Sequence, residues 1–382
     1  MSCGSGCGKS SRARSEKAEV TDRNSEGVQM TASDPVVALD AMGGDNAPGA
    51  IVEGAVMAAR QLGVRVALVG QTEAIERVLG RLAPRPDAIT VINAPDVIDM
   101  DEHPAQAARQ KKQSSIVVGL RMLKQREADA FVSAGNTGAV MAGAIMHVGR
   151  VRGIERPSLV GLLPFAGKLT AFLDVGANAD ARPEYLLQWA QMAAVYMEHV
   201  WKVERPSVAL LNIGEEESKG SAVVQEAYEL LEASGLNFIG NVEGRDVPLG
   251  GADIIVTDGF TGNVVVKTME GTADLIMNEL RNAITSRPWY AAAGLVLTPA
   301  FSALRKKFDY REYGAGPLLG VNGLVFIGHG RSDARAISSA LKMAREAAQS
   351  GMLEAIREAA PTRAVAGRAG IADSSTEEVE AT

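Results

Sequence analysis

Four glycine-bearing turns recur along the chain, and each stands where an apolar run ends and a helical pattern begins. They are Asp40-Ala-Met-Gly-Gly-Asp-Asn-Ala-Pro48, Ser133-Ala-Gly-Asn-Thr-Gly138, Asn212-Ile-Gly-Glu-Glu-Glu-Ser-Lys-Gly220 and Thr257-Asp-Gly-Phe-Thr-Gly-Asn263. The apolar runs before them do not alternate with polar residues, which implies strands covered on both faces and so a largely parallel sheet. The expected fold class is α/β, a three-layer αβα arrangement with a mainly parallel sheet. Glycine at the carboxyl end of a strand lets the backbone approach a ligand, and the following helix points unpaired N–H groups and a positive dipole end at it. One such turn is ordinary α/β construction. Four of them converging on one crevice would make a site for an anion, most simply a phosphate.

The 382 residues, 46% of them hydrophobic, suffice for one or two closely joined lobes. A net charge of −7 argues against a general nucleic-acid coat. Cys3 and Cys7 both lie in a polar N-terminal stretch, so no disulfide framework or cysteine-built zinc site is expected. No metal is expected either, because the four histidines have no cysteine or glutamate at ligand spacing. A reducing cytoplasm is the natural setting. Residues 1–33 lack the apolar core of a secretory signal and are expected to be a disordered tail, as are 361–382. The folded unit is expected over 34–360. Gly8-Lys9-Ser10 resembles the end of a P-loop, but Cys3 stands where that pattern needs glycine and no apolar strand precedes it.

Along the folded unit the expected strands are Val36–Leu39, Val66–Val69, Ile89–Ile92, Ala130–Ser133, Leu159–Leu163, Leu169–Val175, Val208–Ile213, Ile254–Thr257 and Leu324–Ile327. Helices are expected from Pro48 to Gly63, Thr72 to Leu82, Ser115 to Lys124, Asn136 to Val148, Pro183 to about Trp201, Ser218 to Ala233, from Asn263 onward, and from Asp333 to Glu358.

Taken in order and with their spacing, these turns resemble those of the PlsX family of phosphate acyltransferases. Further stretches carry the likeness: Lys111-Lys-Gln-Ser-Ser115, Leu173-Asp-Val-Gly-Ala-Asn178 and Gly240-Asn-Val-Glu-Gly-Arg245. It covers roughly Pro35 to Gln349. The resemblance implies transfer of a long-chain acyl group from the phosphopantetheine thioester of acyl carrier protein to inorganic phosphate, forming acyl phosphate. It implies a fold similar to isocitrate and isopropylmalate dehydrogenases, a homodimer, no cofactor, and a membrane glycerol-3-phosphate acyltransferase as consumer of the product. The chain departs from the family pattern at Gln110 and Gln113, where Arg and Asp are usual, and at Arg331, where Ser is usual. A short-chain acyl-CoA phosphotransacylase and a non-catalytic scaffold for carrier protein or lipid are the competing functions.

Attack of phosphate on a thioester needs a held anion, donors for the carbonyl oxygen and help for the departing thiolate. Lys219 would hold the phosphate, or else pair with Glu215 to Glu217 on the surface. Asn263 would donate to the oxyanion, or else serve as a helix N-cap. Asp258 would orient Lys219 or accept a proton, or else cap the backbone of its turn. His329 is the histidine best placed for acid–base work, though a structural histidine fits equally. Ser133, Gly135, Asn136, Thr137 and Gly138 offer donors suited to phosphate. Asp40, Gly43, Gly44 and Asn46 make a similar turn, in which Asp40 and Asp45 would repel phosphate unless neutralised. Lys111, Lys112 and Ser114 form a basic loop for a phosphopantetheine phosphate or an acidic carrier protein.

Residues 288–304 carry no charge and are flanked by Arg287 and Arg305-Lys-Lys307. This stretch is too short to span a bilayer core of about 30 Å, so a projecting helical hairpin over about 272–308 is expected. Its tip would touch the membrane through about 288–307, and its arms would pair in a dimer.

Overall fold

The computed structural model describes residues 34–164, 168–290, 294, 296–299 and 310–369, with backbone alone for 310 and 361–369. The N-terminal tail with Gly8-Lys9-Ser10, the end of the C-terminal tail and part of the expected hairpin lie outside these residues.

Two sheets take the place of one. In the first, β1 (Val36–Asp40), β2 (Arg65–Gly70), β3 (Ile89–Asn93) and β4 (Ala130–Ser133) run parallel. The second is built on β7 (Thr170–Leu173), β8 (Ser207–Asn212), β9 (Asn237–Glu243) and β10 (Ile254–Val256), again parallel, with β6 (Gly161–Leu163) antiparallel at one edge. The chain then returns to the first sheet through β11 (Ala315–Leu319) and β12 (Leu324–Gly328), and with β5 (Ser158–Leu159) at the edge its order is β3-β2-β1-β4-β12-β11-β5. Strand β5 (Ser158–Leu159) ends one residue before β6 begins, and the chain changes sheets at Val160. That change splits the single strand expected over Leu159–Leu163.

Helices cover the first sheet on both faces, as its uninterrupted apolar strands require. Val37 and Leu39 of β1 point into a core shared with α1 (Gly49–Leu62), α2 (Thr72–Arg81) and α9 (Ala334–Gln349). Ala38 points into a second core under α3 (Pro104–Gln110), α4 (Ser115–Gln125) and α5 (Thr137–Gly143), the last prolonged by one wide π-turn over Ala144–Val148. The first core continues without a break into the second sheet through α6 (Pro183–His199), which buries Trp189 and Tyr196 completely and packs on α7 (Ala222–Glu232) and α10 (Met352–Ala369). The last helical stretch breaks at Ser350–Gly351 instead of running on as one helix, and α10 extends beyond Glu358 to Ala369.

Helix α8 (Gly259–Thr285) differs from the rest. Only Gly259 and Gly262 are buried along its length, while Val264, Leu275 and Ile276 are exposed. It begins at the carboxyl end of β10 and reaches across to the turn after β12. Among the described residues no helix is long and apolar enough to cross a membrane.

Candidate active site

All the glycine turns leave the carboxyl ends of parallel strands, the edge where open α/β sheets bind ligands. They meet in two groups, one on each sheet.

On the first sheet, the turns after β1, β4 and β12 touch. Ser133 Oγ donates to Asp40 Oδ2 at 2.7 Å, and the Gly135 N–H donates to Ser133 Oγ at 3.0 Å. The Asp45 N–H donates to the carbonyl of Gly330 at 2.8 Å, and the Asn46 amide donates to the carbonyl of Ser332 at 3.2 Å. Glycine is obligatory at 43, because a Cβ there would lie 2.4 Å from Asp40 Oδ2 and 2.7 Å from the nitrogen of Gly135. Asp40 is completely buried, and burial raises its carboxyl above the ordinary value while the Ser115 and Ser133 hydroxyls and the N–H groups of Met42 and Gly43 oppose the rise. The carboxylate expected to repel phosphate is thus withdrawn beneath the turn. Asn136 is committed as well: its Oδ1 caps α5 by accepting from Ala139 N, and its amide donates to the carbonyls of Asp99, Met100 and Glu102. With the Gly135 N–H given to Ser133 and the Gly43 N–H to Asp40, what remains for a ligand is the backbone of Thr137 and Gly138 in the first turn of α5.

The Lys111 to Ser115 loop is also largely spoken for. Lys111 Nζ pairs with Glu102 at 2.5 Å and donates to the carbonyl of Val97, while Ser114 is the buried N-cap of α4. Lys112 is exposed.

On the second sheet, Asp174 follows β7, fully buried. It accepts from the N–H groups of Leu159, Gly176, Ala177 and Asn178 and from the Asn178 amide. Burial raises its carboxyl despite these donors. Asp258 is the N-cap of α8 and accepts from the N–H and hydroxyl of Thr261 at 2.8 and 2.7 Å. Asn263 is therefore not a cap. It sits in the second turn of α8, exposed, with its amide over Gly176, where a Cβ would lie 3.3 Å from Nδ2.

Lys219 follows β8 on the same edge. Helix α7 begins at Ala222 behind the N-cap Ser221, later than the expected Ser218, so Lys219 lies in the turn before the helix. Asn212 donates to the Lys219 carbonyl at 3.0 Å and Gln225 donates to those of Ser218 and Gly220, which fixes the turn. Two of the three glutamates expected to neutralise Lys219 are engaged elsewhere. Glu215 faces Arg245 at 3.6 Å, and Glu217 accepts from the Tyr228 hydroxyl.

Helix α8 ties the groups together. Gly262, Val266, Glu270 and Asp274 share one helical face at four-residue spacing. Glu270 lies seven residues, about 10 Å of helix, beyond Asn263. Its carboxylate meets His329 Nε2 at 3.6 Å, Arg331 at 3.3 Å and Lys267 at 3.1 Å. Burial lowers the His329 pKa, Glu270 raises it, and Lys267 and Arg331 lower it again, the net direction being down. His329 is consequently neutral at pH 7. Its contribution to stability is present above the unfolded imidazole value of about 6.5 and is lost as pH falls through the lower folded value. Glu270→Gln removes the opposing carboxylate, so the His329 midpoint followed by ring-proton NMR is expected to fall further; a rise would contradict this geometry.

Glu270 and Asp174 are the residues that sequence reasoning did not place in the site. The four-residue spacing from Gly262 was the available signal for Glu270. Asp174 lies in Leu173-Asp-Val-Gly-Ala-Asn178, a stretch that in sequence has nothing to separate it from a surface turn.

The sequence model of a family described as fatty acid synthesis protein matches residues 36–355. A phosphate acyltransferase of Desulfitobacterium hafniense is 48% identical over 328 residues, 85% of this chain and 97% of that relative. One from Dictyoglomus turgidum is 49% identical over 312 residues, 81% of this chain and 93% of that one. Among solved structures, a phosphotransacetylase from Streptococcus pyogenes has a TM-score of 0.54 at 18% identity, covering 84% of this chain and 95% of that one. A 4-hydroxythreonine-4-phosphate dehydrogenase from Klebsiella pneumoniae has a TM-score of 0.51 at 14% identity, covering 84% and 100%. At such identities the two structures bear on the fold alone. The sequence matches along nearly the whole folded unit show that the chain belongs to the phosphate acyltransferase (PlsX) family and is an acyltransferase of lipid biosynthesis.

Proposed function

We propose that this chain transfers a long-chain acyl group from acyl carrier protein to inorganic phosphate. A phosphate oxygen attacks the thioester carbonyl carbon, the C–S bond breaks, the acyl group leaves on phosphate, and the proton that phosphate gives up ends on the pantetheine sulfur. Lys219 holds the phosphate and balances its charge. The Asn263 amide donates to the carbonyl oxygen as that oxygen gains charge. Asp258 acts by fixing the turn that carries Asn263. The backbone N–H groups of Thr137 and Gly138, together with that of Gly44, form the opposite wall, where neutral His329 offers a hydrogen bond to the leaving sulfur. The observation that carries this reading is the gathering of every glycine turn at the carboxyl ends of the two sheets, with α8 laid from one group to the other.

Phosphate-dependent release of free thiol tests it. Acyl carrier protein loaded with a long chain is expected to turn over with a much higher kcat/KM than acetyl-CoA. Preference for acetyl-CoA would establish the short-chain alternative, and carrier binding without thiol release would establish a scaffold.

We also infer that the chain works as a homodimer touching the membrane surface, close to the enzyme that consumes its product. The exposed Leu275 and Ile276 on α8 and Trp289, Tyr290, Val296 and Leu297 beyond it support this, as does Arg287 stacked on both Trp289 and Tyr290. Residues 291–293, 295 and 300–309 of the expected hairpin lie outside the described residues. Trp289→Glu is expected to reduce cosedimentation with anionic vesicles at least about tenfold while leaving thiol release in solution intact. Unchanged cosedimentation would remove the membrane contact.

A further inference from the structure

Away from the glycine turns, helix α3 and the π-turn after α5 border an open groove lined by Ala105, Gln106, Arg109, Gln110, Lys112 and Met146. No carboxylate lines it. Among the described residues Arg109 and Lys112 have no carboxylate within ion-pair distance, in a chain where acidic residues outnumber basic ones by 46 to 39. Behind the groove, Arg121 Nη2 and His147 Nε2 are buried without a hydrogen-bond partner, and the positive charges of Arg121 and Lys112 both act on the His147 ring. Met146 and Ile145 add an exposed apolar spot, 45% and 36% accessible. The neighbouring Lys111 is neutralised by Glu102, which makes the unpaired state of the groove's own cations a local property.

The groove's position relates it to the reaction. Pro104 at the start of α3 packs on Gly138, where a Cβ would lie 2.7 Å from the proline ring. Met146 stands eight residues farther on, about 12 Å along the helix from that turn. A macromolecule seated in the groove would therefore lie beside the first sheet's glycine turns without covering them, and a flexible arm could reach them.

We propose that this groove is the docking surface for the acyl donor, a small acidic carrier protein whose thioester arm reaches the glycine turns past Pro104. The inference rests on the reading of the chain as an acyl carrier protein-dependent transferase. Charge complementarity selects the partner: unpaired arginine and lysine around a small apolar centre suit an acidic helix with a few apolar side chains. A free phosphate would find Arg109 and Lys112 too exposed to hold it. A membrane surface would find no aromatic anchor in the groove lining.

Arg109→Glu with Met146→Glu in the full chain tests the assignment, both side chains being exposed and therefore tolerant of replacement. The KM for long-chain acyl carrier protein is expected to rise about tenfold or more, with kcat little changed and the salt dependence of kcat/KM flattened. Thiol release from acyl-CoA of the same chain length should stay within about twofold of wild type, as for a surface change. Direct binding of holo carrier protein, followed by fluorescence anisotropy, should weaken in parallel. Unaltered KM and binding would overturn the docking surface, as would an equal loss with both donors. Loss of binding to anionic vesicles, or a changed sedimentation coefficient, would assign the groove to lipid or to a second copy instead. Wild-type enzyme that uses acyl-CoA and ignores the carrier protein would refute the functional reading itself, a result distinct from each of these.

Discussion

Gly262→Ala is expected to abolish most activity, because a Cβ at that position would lie 1.9 Å from the carbonyl oxygen of Asp174. No side chain can rotate out of the way, since both partners are backbone. The carbonyl is held on a turn whose carboxylate takes four N–H groups and one amide, and the Asp174 N–H itself donates to the Thr257 carbonyl at 2.9 Å. On the other side, the Gly259 N–H donates to the Asn178 carbonyl at 2.9 Å, locking the first turn of α8 onto the same loop. The added methyl must push α8 away from the β7 turn, carrying Asn263 with it. A displacement near 1 Å costs about 100-fold in turnover, and the overpacking costs about 3 kcal/mol of stability. Gly271→Ala in the same helix is the control. Nothing lies within 4 Å of a Cβ there, so stability should increase by about 0.5–1 kcal/mol with turnover unaltered. Thiol release and thermal melts read both variants. Wild-type turnover in Gly262→Ala would show that the two turns do not act as a unit.

The same contact explains what was legible in the sequence and what was not. The turn Thr257 to Asn263 could be seen as strand-to-helix because apolar periodicity changes there from a buried run to a helical one. Its glycines could be seen to serve a close approach, but not what they approach. Asp174 is eighty-five or more residues away from them, and only the folded second sheet places β7 beside β10. In sequence Asp258 suits a proton acceptor and a cap alike; in the fold the hydroxyl and N–H of Thr261 occupy both its oxygens. Strands β9 and β11 and helix α3 were missed because each is short or interrupted: Gly240 has a φ of 93° within β9, Gly316 and Pro317 break the apolar run of β11, and α3 is seven residues long. The division into two sheets was hidden at Val160, where one continuous apolar run serves both.

Lys219→Ala is expected to lower kcat by about 100- to 1,000-fold, the range for removing one group aimed at developing charge, with a raised KM for phosphate. The surroundings of Lys219 distinguish it from an ordinary surface lysine. Its turn is fixed from three sides by Asn212, Gln225 and the left-handed backbone of Gly220, with φ of 88°. Its stem packs against Gly214, where a Cβ would lie 3.0 Å from Lys219 Cγ, so the side chain leaves the turn in a set direction. Arg245 and Tyr228 draw Glu215 and Glu217 away from it. An exposed side chain held in this way is available to a ligand, while its removal breaks no side-chain hydrogen bond among the described residues. The variant should therefore melt within about 0.5 kcal/mol of wild type, which separates loss of function from loss of structure. Lys219→Arg keeps the charge but replaces a compact ammonium with a longer planar fork, so it should restore phosphate binding more than turnover. Initial rates against phosphate concentration, with acyl carrier protein saturating, give kcat and KM separately. A folded Lys219→Ala enzyme with undiminished kcat and phosphate KM would move the anion away from the β8 turn and leave the backbone donors of the first sheet to hold it.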